Sequence, residues 1–360
     1  MNVKYTAMLA IIVICTLFLT GCSEYRTREY VVRSETELRG AFAGVGNNEV
    51  IRIILDTDIQ LQGGTLKIPT GVTGSTVIIT TRASVPNNRP RLITRTYGEA
   101  RHFYVPPKST LTIRGAVAIQ SHVSTENRGG ISVNGGTLNV GGHSVIRNNR
   151  WLDGGGVSVE NGGTFNITNT GSIIGNIAYR NGGGVFVHGN SNFRVSGSET
   201  SNINDNSAGS NGGGVFICGN SNFNMSGVGT INDNMAGGSG GGVFVASGSS
   251  FNRSGLGNIS RNIALIDGGG ILATGQGTRI SLSGLNEVSR NTAQRGGGVA
   301  ILNDAHLSVG GTVSISNNTG GNRYVENNDN DSGSNTPVND HEIPQFPPNG
   351  DGNGMPAQRQ

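Results

Sequence analysis

A run of three glycines followed by a β-branched residue recurs six times in the middle of this chain. The runs lie at residues 154–157, 182–185, 212–215, 240–243, 268–271 and 296–299. Successive runs begin 28, 30, 28, 28 and 28 residues apart. A fixed period of this length predicts a solenoid in which each repeat stacks on its neighbours. The 60 glycines among 360 residues therefore indicate a repeated turn rather than a low-complexity chain.

Three apolar anchor positions recur in each period. The first follows the glycines: Ile131, Val157, Val185, Val215, Val243, Ile271 and Val299. The second comprises Leu111, Leu138, Phe165, Phe193, Phe223, Phe251, Ile280 and Leu307. The third comprises Val117, Val145, Ile173, Ile203, Ile231, Ile259, Val288 and Ile315. Three strands per coil, each anchor stacked on its counterpart about 4.8 Å away, predict an all-β, single-domain parallel β-helix. The alternative, a leucine-rich-repeat horseshoe, lacks its leucine pattern here.

The repeat alternates a Gly-Gly-apolar segment with an apolar-x-x-Asn segment. Examples are Gly-Gly-Gly-Val-Phe-Val at residues 182–187 and Ile-Asn-Asp-Asn at residues 203–206. Over residues 111–320 the pattern resembles right-handed β-helix repeats of the pectin-lyase-like class, especially those of polymorphic outer-membrane proteins. The resemblance implies a right-handed coil and a place on a bacterial surface. Because Gln360 follows the repeats closely, we expect no translocating β-barrel and hence another means of anchoring.

The N-terminal segment is typical of a bacterial lipoprotein signal. Lys4 precedes an apolar stretch at residues 7–19, which is too short to span a membrane. It ends in Leu-Thr-Gly-Cys at residues 19–22, which resembles a lipobox. That resemblance implies cleavage before Cys22, lipid on its thiol and a membrane as partner, and Ser23 favours the outer membrane. The alternative is an ordinary secreted protein with a chance cysteine. With Cys15 removed in the signal and Cys22 lipidated, Cys218 would remain without a disulfide partner.

The remaining segments complete the predicted organisation. Residues 1–21 are the predicted signal peptide, 22–28 a lipidated tether, 29–108 an N-terminal cap with irregular first coils, 109–320 the regular repeats and 321–360 a disordered tail rich in Asn, Asp, Gly and Pro. Ser34 and Glu37 fit a capping box, which predicts a short helix at about residues 35–44 that covers the first coil. A strand is expected at residues 29–33 and a loop insertion at 82–108.

Two further columns of equivalent residues run along the predicted β-helix. The asparagine column comprises Asn148, Asn176, Asn206, Asn234, Asn262, Asn291 and Asn318. Stacked amides predict a structural ladder rather than a site. The second column follows the first anchor and includes Phe186, Phe216, Phe244 and Leu272. If the anchors point inward, these four side chains point outward as an apolar stripe that could bind a carbohydrate or protein. The alternative is that the long turn or the tail folds over them.

Two acidic residues in neighbouring repeats are candidates for catalysis. Asp205 and Asp233 should lie one coil apart and are the candidate catalytic pair for glycoside hydrolysis or polysaccharide cleavage. The six histidines are scattered, so no metal site and no cofactor are predicted. A net charge of +3 without a basic block argues against nucleic acid.

The function predicted is therefore a lipid-anchored surface module that binds polysaccharide or protein, adhesin-like and without catalysis. The alternative is a polysaccharide lyase or glycoside hydrolase that uses Asp205 and Asp233 or the 82–108 segment. A further alternative is a passive structural component of the envelope.

Overall fold

The apolar anchors become the inward faces of parallel sheets that wind around one core. The computed structural model describes residues 26–82, 89–122 and 128–326. Over these residues the chain forms a right-handed parallel β-solenoid of about nine turns, as predicted. Every strand pair is parallel and in register from one coil to the next, so each side-chain column runs along the solenoid axis.

Three long sheets make the three sides. Sheet A consists of strands Arg26–Val32, Glu49–Leu55, Ser75–Thr81, Ser109–Ile113, Thr137–Val140, Thr164–Thr168, Asn192–Ser196, Asn222–Met225, Ser250–Arg253, Arg279–Leu282 and His306–Val309. Sheet B consists of Ile59–Leu61, Arg91–Arg95, Val117–Ser121, Val145–Arg147, Ser172–Ile174, Ser201–Asn204, Gly229–Asn232, Leu256–Ser260, Leu285–Ser289 and Ser314–Ser316.

Sheet C carries the side chains that matter most below. It consists of Leu66–Lys67, Phe103–Val105, Ile131–Asn134, Val157–Glu160, Val185–Val187, Val215–Ile217, Val243–Ala246, Ile271–Thr274, Val299–Leu302 and Arg323–Val325. A short sheet D, not foreseen from the sequence, lies between B and C in the middle coils. Its strands are Arg150–Trp151, Ile177–Ala178, Ser207–Ala208, Met235–Ala236 and Ile263–Ala264.

Stacked apolar side chains fill the core. The rings of Phe165, Phe193, Phe223 and Phe251 are fully buried, and their centroids lie 4.9, 4.4 and 4.7 Å apart in turn. Because parallel strands are spaced about 4.8 Å apart, the in-register rings stack face to face along the axis. The third anchor needs a correction in two coils. Ile119 and Ile146, rather than Val117 and Val145, align with Ile173 and fill that column.

The helix Glu35–Ala43 covers the first coil, as the capping box predicts. Ser34 Oγ accepts the amide of Glu37 at 3.2 Å, while the Glu37 carboxylate accepts the amide of Arg33 at 2.6 Å. The buried face of the helix includes Phe42, whose ring stacks on Phe103 with centroids 5.6 Å apart. The open end of the core is thereby shielded from water.

Two predicted segment boundaries need correction. The 82–108 segment is not a loop insertion throughout, because strands Arg91–Arg95 and Phe103–Val105 place it in the second coil. In the predicted tail, strand Arg323–Val325 pairs with Val299–Leu302 and continues sheet C. The signal peptide, Cys22 and residues 327–360 lie outside the described residues. Within the part of the chain that is described, no helix combines the length and apolarity needed to cross a membrane.

A buried asparagine ladder runs along the corner between sheets B and D. It begins at Asn149, not Asn148, and continues through Asn176, Asn206, Asn234, Asn262, Asn291 and Asn318. Each side-chain amide donates to the next asparagine Oδ1 at 2.9–3.0 Å and to a backbone carbonyl of the preceding coil. The residue before each ladder asparagine has a positive φ, so left-handed backbone turns the corner there.

Candidate functional site

One outward-facing column of sheet C changes character halfway along the solenoid. Register pairing joins Lys67, Tyr104, Ser132, Ser158, Phe186, Phe216, Phe244, Leu272, Ala300 and Tyr324 in a single line. Because side chains alternate along a strand, this line lies on the face opposite the core anchors. Its first four members are polar or amphipathic, and the following members are apolar or aromatic.

The apolar half of the column is stacked but largely covered. The rings of Phe186 and Phe216 lie 5.5 Å apart, and those of Phe216 and Phe244 lie 4.8 Å apart. Phe216 and Phe244 are each 9% exposed and Leu272 is 1% exposed, whereas Phe186 is half-buried. The predicted outward stack is therefore present, but the predicted bare surface is not. Whether these four residues bind a partner stays a prediction.

The triple-glycine turn contributes to this cover. A Cβ built on Gly212 would lie 2.8 Å from Cβ of Phe216, and one built on Gly240 would lie 2.7 Å from Cβ of Phe244. The glycine backbone thus packs directly onto the base of each outward side chain. Glycine is required because both residues also have a positive φ, 67° and 69°.

The polar half of the column lines an open cleft of about 340 Å³. Its lining residues are Thr65, Lys67, Arg101, Tyr104, Ser132, Trp151, Leu152, Asp153, Ser158 and Glu160. The floor comes from the first four strands of sheet C, and one wall comes from residues 151–153, which lead into the fourth of them. Three of the four floor strands belong to coils before residue 154, which lack the triple-glycine run.

The buried side chain of Arg101 stabilises the cleft wall at residues 151–153. Its guanidinium donates to the backbone oxygens of Gly154 at 2.6 Å and Asp153 at 2.8 Å, and it lies 4.6 Å from the centre of the Trp151 ring. Burial lowers the pKa of Arg101 to about 9, so the side chain still carries its charge at neutral pH. A buried cation held by carbonyl oxygens and an aromatic face fixes the indole in position.

Asp153 closes the cleft on the side of the following coil. Its Oδ1 accepts the backbone amide of Asn181 at 3.1 Å and the side-chain amide at 3.3 Å, and its Oδ2 pairs with Arg180. On the floor, Ser158 donates a hydrogen bond to Glu160, and Lys67 Nζ lies 5.8 Å from the centre of the Tyr104 ring. The cleft therefore combines two aromatic rings, several hydroxyls and both signs of charge.

The predicted catalytic pair lies elsewhere. Asp205 and Asp233 are exposed left-handed corner residues beside the asparagine ladder, and neither lines the cleft. Arg261 forms a bidentate ion pair with Asp233, with both N–O distances 2.7 Å. Partial burial, followed by the charge of Asp233, raises the pKa of Asp205. The two carboxylates form a surface charge cluster in which Arg261 pairs with Asp233, and their catalytic role stays a prediction.

Two further features bear on the chemistry of the surface. Cys218 lies beside His188 on the neighbouring coil, with Sγ and Nδ1 3.2 Å apart. Burial raises the pKa of the Cys218 thiol to about 11, so it is not an activated nucleophile. Among residues 26–82, 89–122 and 128–326, no three His, Cys, Asp or Glu side chains gather as a metal site would require.

Sequence reasoning missed the cleft because its residues do not repeat. Columns of equivalent residues can be aligned only where the period is regular, whereas Lys67 and Tyr104 belong to irregular coils. Two signals could have found the site. Trp151 is the single tryptophan of the chain. Ser158 is a polar residue at the position that Phe186 and Phe216 occupy in the next two repeats.

Comparisons with known proteins identify no family. No family model matches the sequence, and no curated protein sequence matches it. Among solved structures, the chain is similar to the A-module of the mannuronan C-5 epimerase AlgE6 of Azotobacter vinelandii. The two share 15% identity at a TM-score of 0.36, over 84% of this chain and 90% of that one. A likeness of this size says nothing about what the present chain binds.

Proposed function

We propose that this protein binds saccharide chains in the cleft on sheet C. The observation that carries the proposal is the lining itself, in which Tyr104 and Trp151 stand beside Ser132, Ser158 and Glu160. Sugar rings present both apolar C–H faces and dense hydroxyls. A site that offers aromatic surface together with hydroxyl and carboxylate groups matches both. The volume of about 340 Å³ lies at the small end of the range for ligand pockets.

Binding without catalysis fits the carboxylates of the cleft better than hydrolysis does. Asp153 is engaged by Arg180 and Asn181, and Glu160 accepts a hydrogen bond from Ser158. A glycosidase needs one carboxyl group as proton donor and a second as base or nucleophile, each free to reach the substrate. Saccharide cleavage is nevertheless the alternative that the same experiment detects.

The experiment exploits the single tryptophan, whose fluorescence reports on the cleft. Purified protein is titrated with oligogalacturonates, malto-oligosaccharides and chito-oligosaccharides, while new reducing ends and unsaturated ends are assayed in parallel. Saturable change in Trp151 emission without product supports the proposal. Product release would make the protein an enzyme. If no series changes the emission and calorimetry detects no binding, the proposal fails.

A variant pair separates the cleft from the apolar stripe. Tyr104→Ala should abolish binding while Phe186→Ala leaves it intact, because only Tyr104 lines the cleft. The opposite result would assign binding to the stripe at Phe186, Phe216, Phe244 and Leu272.

We also propose that the protein is anchored in the bacterial envelope by lipid on Cys22, in the outer membrane. The support is the Leu-Thr-Gly-Cys sequence at residues 19–22 after an apolar stretch. Cys22 stands four residues before Arg26, so even a fully extended chain spans only about 14 Å between them. The helix-capped end and the nearby cleft would then lie close to the membrane. Incorporation of a labelled fatty acid by the native protein, and its loss in Cys22→Ser, tests the anchor. Labelling that persists in Cys22→Ser would refute it.

A further inference from the structure

The cleft is closed on two adjacent sides, and this limits how a saccharide chain can enter it. We infer that the site takes the end of a chain rather than an internal segment. This inference rests on the proposed function and adds to it the part of the polymer that is recognised. Two observations support it. The outward column changes from polar to apolar between Ser158 and Phe186, and residues of the following coil bind the Asp153 carboxylate.

The first closed side faces the C-terminal coils. Past Ser158, the floor gives way to the ring of Phe186, and the next two rings, Phe216 and Phe244, keep only 9% of their surface exposed. The triple-glycine turns lie against the Cβ atoms of Phe216 and Phe244. The outward column is therefore apolar beyond Ser158, and the hydroxyl-lined floor does not continue in this direction.

Asp153 also bounds the cleft on this side. Its carboxylate accepts two hydrogen bonds from Asn181 and pairs with Arg180, so the turn of the following coil is joined to the cleft wall. A saccharide chain that continued past this point would have to break these contacts. The polar floor of the cleft ends where this barrier stands.

The second closed side is the wall at residues 151–153. Arg101 pins its backbone through the carbonyl oxygens of Asp153 and Gly154 and holds the Trp151 ring at 4.6 Å. By contrast, Lys67 at the far end of the column is exposed to solvent. A bound chain therefore has its terminal unit against Trp151 and Asp153 and leaves the cleft on the Lys67 side.

If the cleft binds only chain ends, the mass concentration of saccharide at half-saturation should depend on the number of chain ends per gram. Polygalacturonate and linear maltodextrin fractions of about ten and about one hundred residues are compared at equal mass concentration by Trp151 fluorescence and by calorimetry. The longer fraction carries about tenfold fewer ends per gram, so half-saturation should need about tenfold more mass. For the glucose series, β-cyclodextrin serves as a chain without ends and should not compete with the linear fraction.

The outcomes separate this inference from the proposed function. Equal half-saturation by mass for the short and long fractions, or competition by β-cyclodextrin, would mean that internal segments bind. The end-recognition inference would then be overturned, while saccharide binding would stand. Absence of binding by every fraction would overturn both. Tyr104→Ala should abolish binding of short and long fractions alike, which shows that the signal comes from the cleft.

Discussion

Ser158 and Phe186 are register partners on adjacent strands of sheet C, and the outward face of the solenoid changes between them. On the Ser158 side, the column is polar and lines the cleft. On the Phe186 side, it becomes a ring stack that the glycine turns cover. One sheet thus carries a polar, cleft-lining face in its early coils and a second apolar layer in its later ones.

The first prediction concerns Trp151. Trp151→Ala should weaken saccharide binding at least tenfold, because a buried aromatic anchor commonly contributes more than about 1.4 kcal/mol. Calorimetry is the measurement, since the variant loses its only tryptophan. Tyr179→Ala is the matched control: this ring is 37% exposed and lies outside the cleft. Equal losses in both variants would argue against a cleft-specific effect.

The second prediction concerns the asparagine ladder. Asn234→Ala leaves the backbone amide of Asn206, its side-chain amide and the carbonyl of Ile203 without their partner. Buried polar groups without partners cost about 1–3 kcal/mol each, so the midpoint of urea unfolding should fall clearly. Asn252→Ala removes one exposed amide bond of 3.0 Å to Asn224 and should change the midpoint little. Similar midpoints for the two variants would contradict a structural role for the ladder.

The third prediction concerns the close stacking of glycine turns. A Cβ on Gly241 would lie within 3.0 Å of the backbone oxygens of Gly269 and Ile263. Gly241→Ala should therefore destabilise the fold by more than about 2 kcal/mol, because backbone cannot yield as a flexible side chain does. In Gly64→Ala, the new Cβ meets nothing within 4 Å, and the variant should melt like the wild type. Thermal unfolding monitored by circular dichroism provides the comparison.

The fourth prediction concerns a buried guanidinium. Arg253 is 1% exposed, its Nε and Nη1 lack partners, and burial lowers its pKa to about 10. Its inward column continues with Met225 on one side and Leu282 on the other. Arg253→Met should therefore raise the stability by about 1–3 kcal/mol, because a desolvated charge is replaced by a side chain that the column already accepts.

The control for Arg253 is Arg194→Met on the exposed face of the same sheet, which should change stability by less than about 0.5 kcal/mol. Urea unfolding measures both. A loss of stability in Arg253→Met would show that the two hydrogen bonds from Nη2 to Gly229 and Leu256 outweigh the cost of burial.

The fifth prediction concerns pH. Burial lowers the pKa of His102 to about 3, so the folded state holds a neutral ring whose Nε2 lies 2.8 Å from the oxygen of Gln120. The unfolded chain takes up a proton below about pH 6.5. The contribution of His102 to stability is therefore complete above that pH and is lost as the pH falls toward 3, by about 1.4 kcal/mol per unit.

His102→Gln removes this titration and keeps a hydrogen-bond donor, so its stability should fall less than that of the wild type between pH 7 and pH 4. Parallel profiles for the wild type and His102→Gln would contradict a buried neutral ring.

Local sequence patterns predicted much of the architecture. The recurring anchors determine which side chains face inward, since one residue of slip would turn every one of them to the outside. The capping box of Ser34 and Glu37 placed the helix within one residue, because its hydrogen bonds are local. Where the period is weak, spacing alone misplaces the register. It selects Val117 and Val145 instead of Ile119 and Ile146, and Asn148 instead of Asn149.

The sequence by itself determined the repeat, the three sheets, the core columns and the outward direction of Phe186, Phe216 and Phe244, because all of these follow from spacing along the strands. Only the tertiary structure decided which outward residues stay open. Cover depends on how neighbouring segments pack over the sheet, which leaves Lys67 exposed and buries Phe216, Phe244 and Leu272. The cleft also depends on Arg101, which reaches from the second coil to Asp153 in the fourth. No local pattern encodes a contact between residues 52 positions apart.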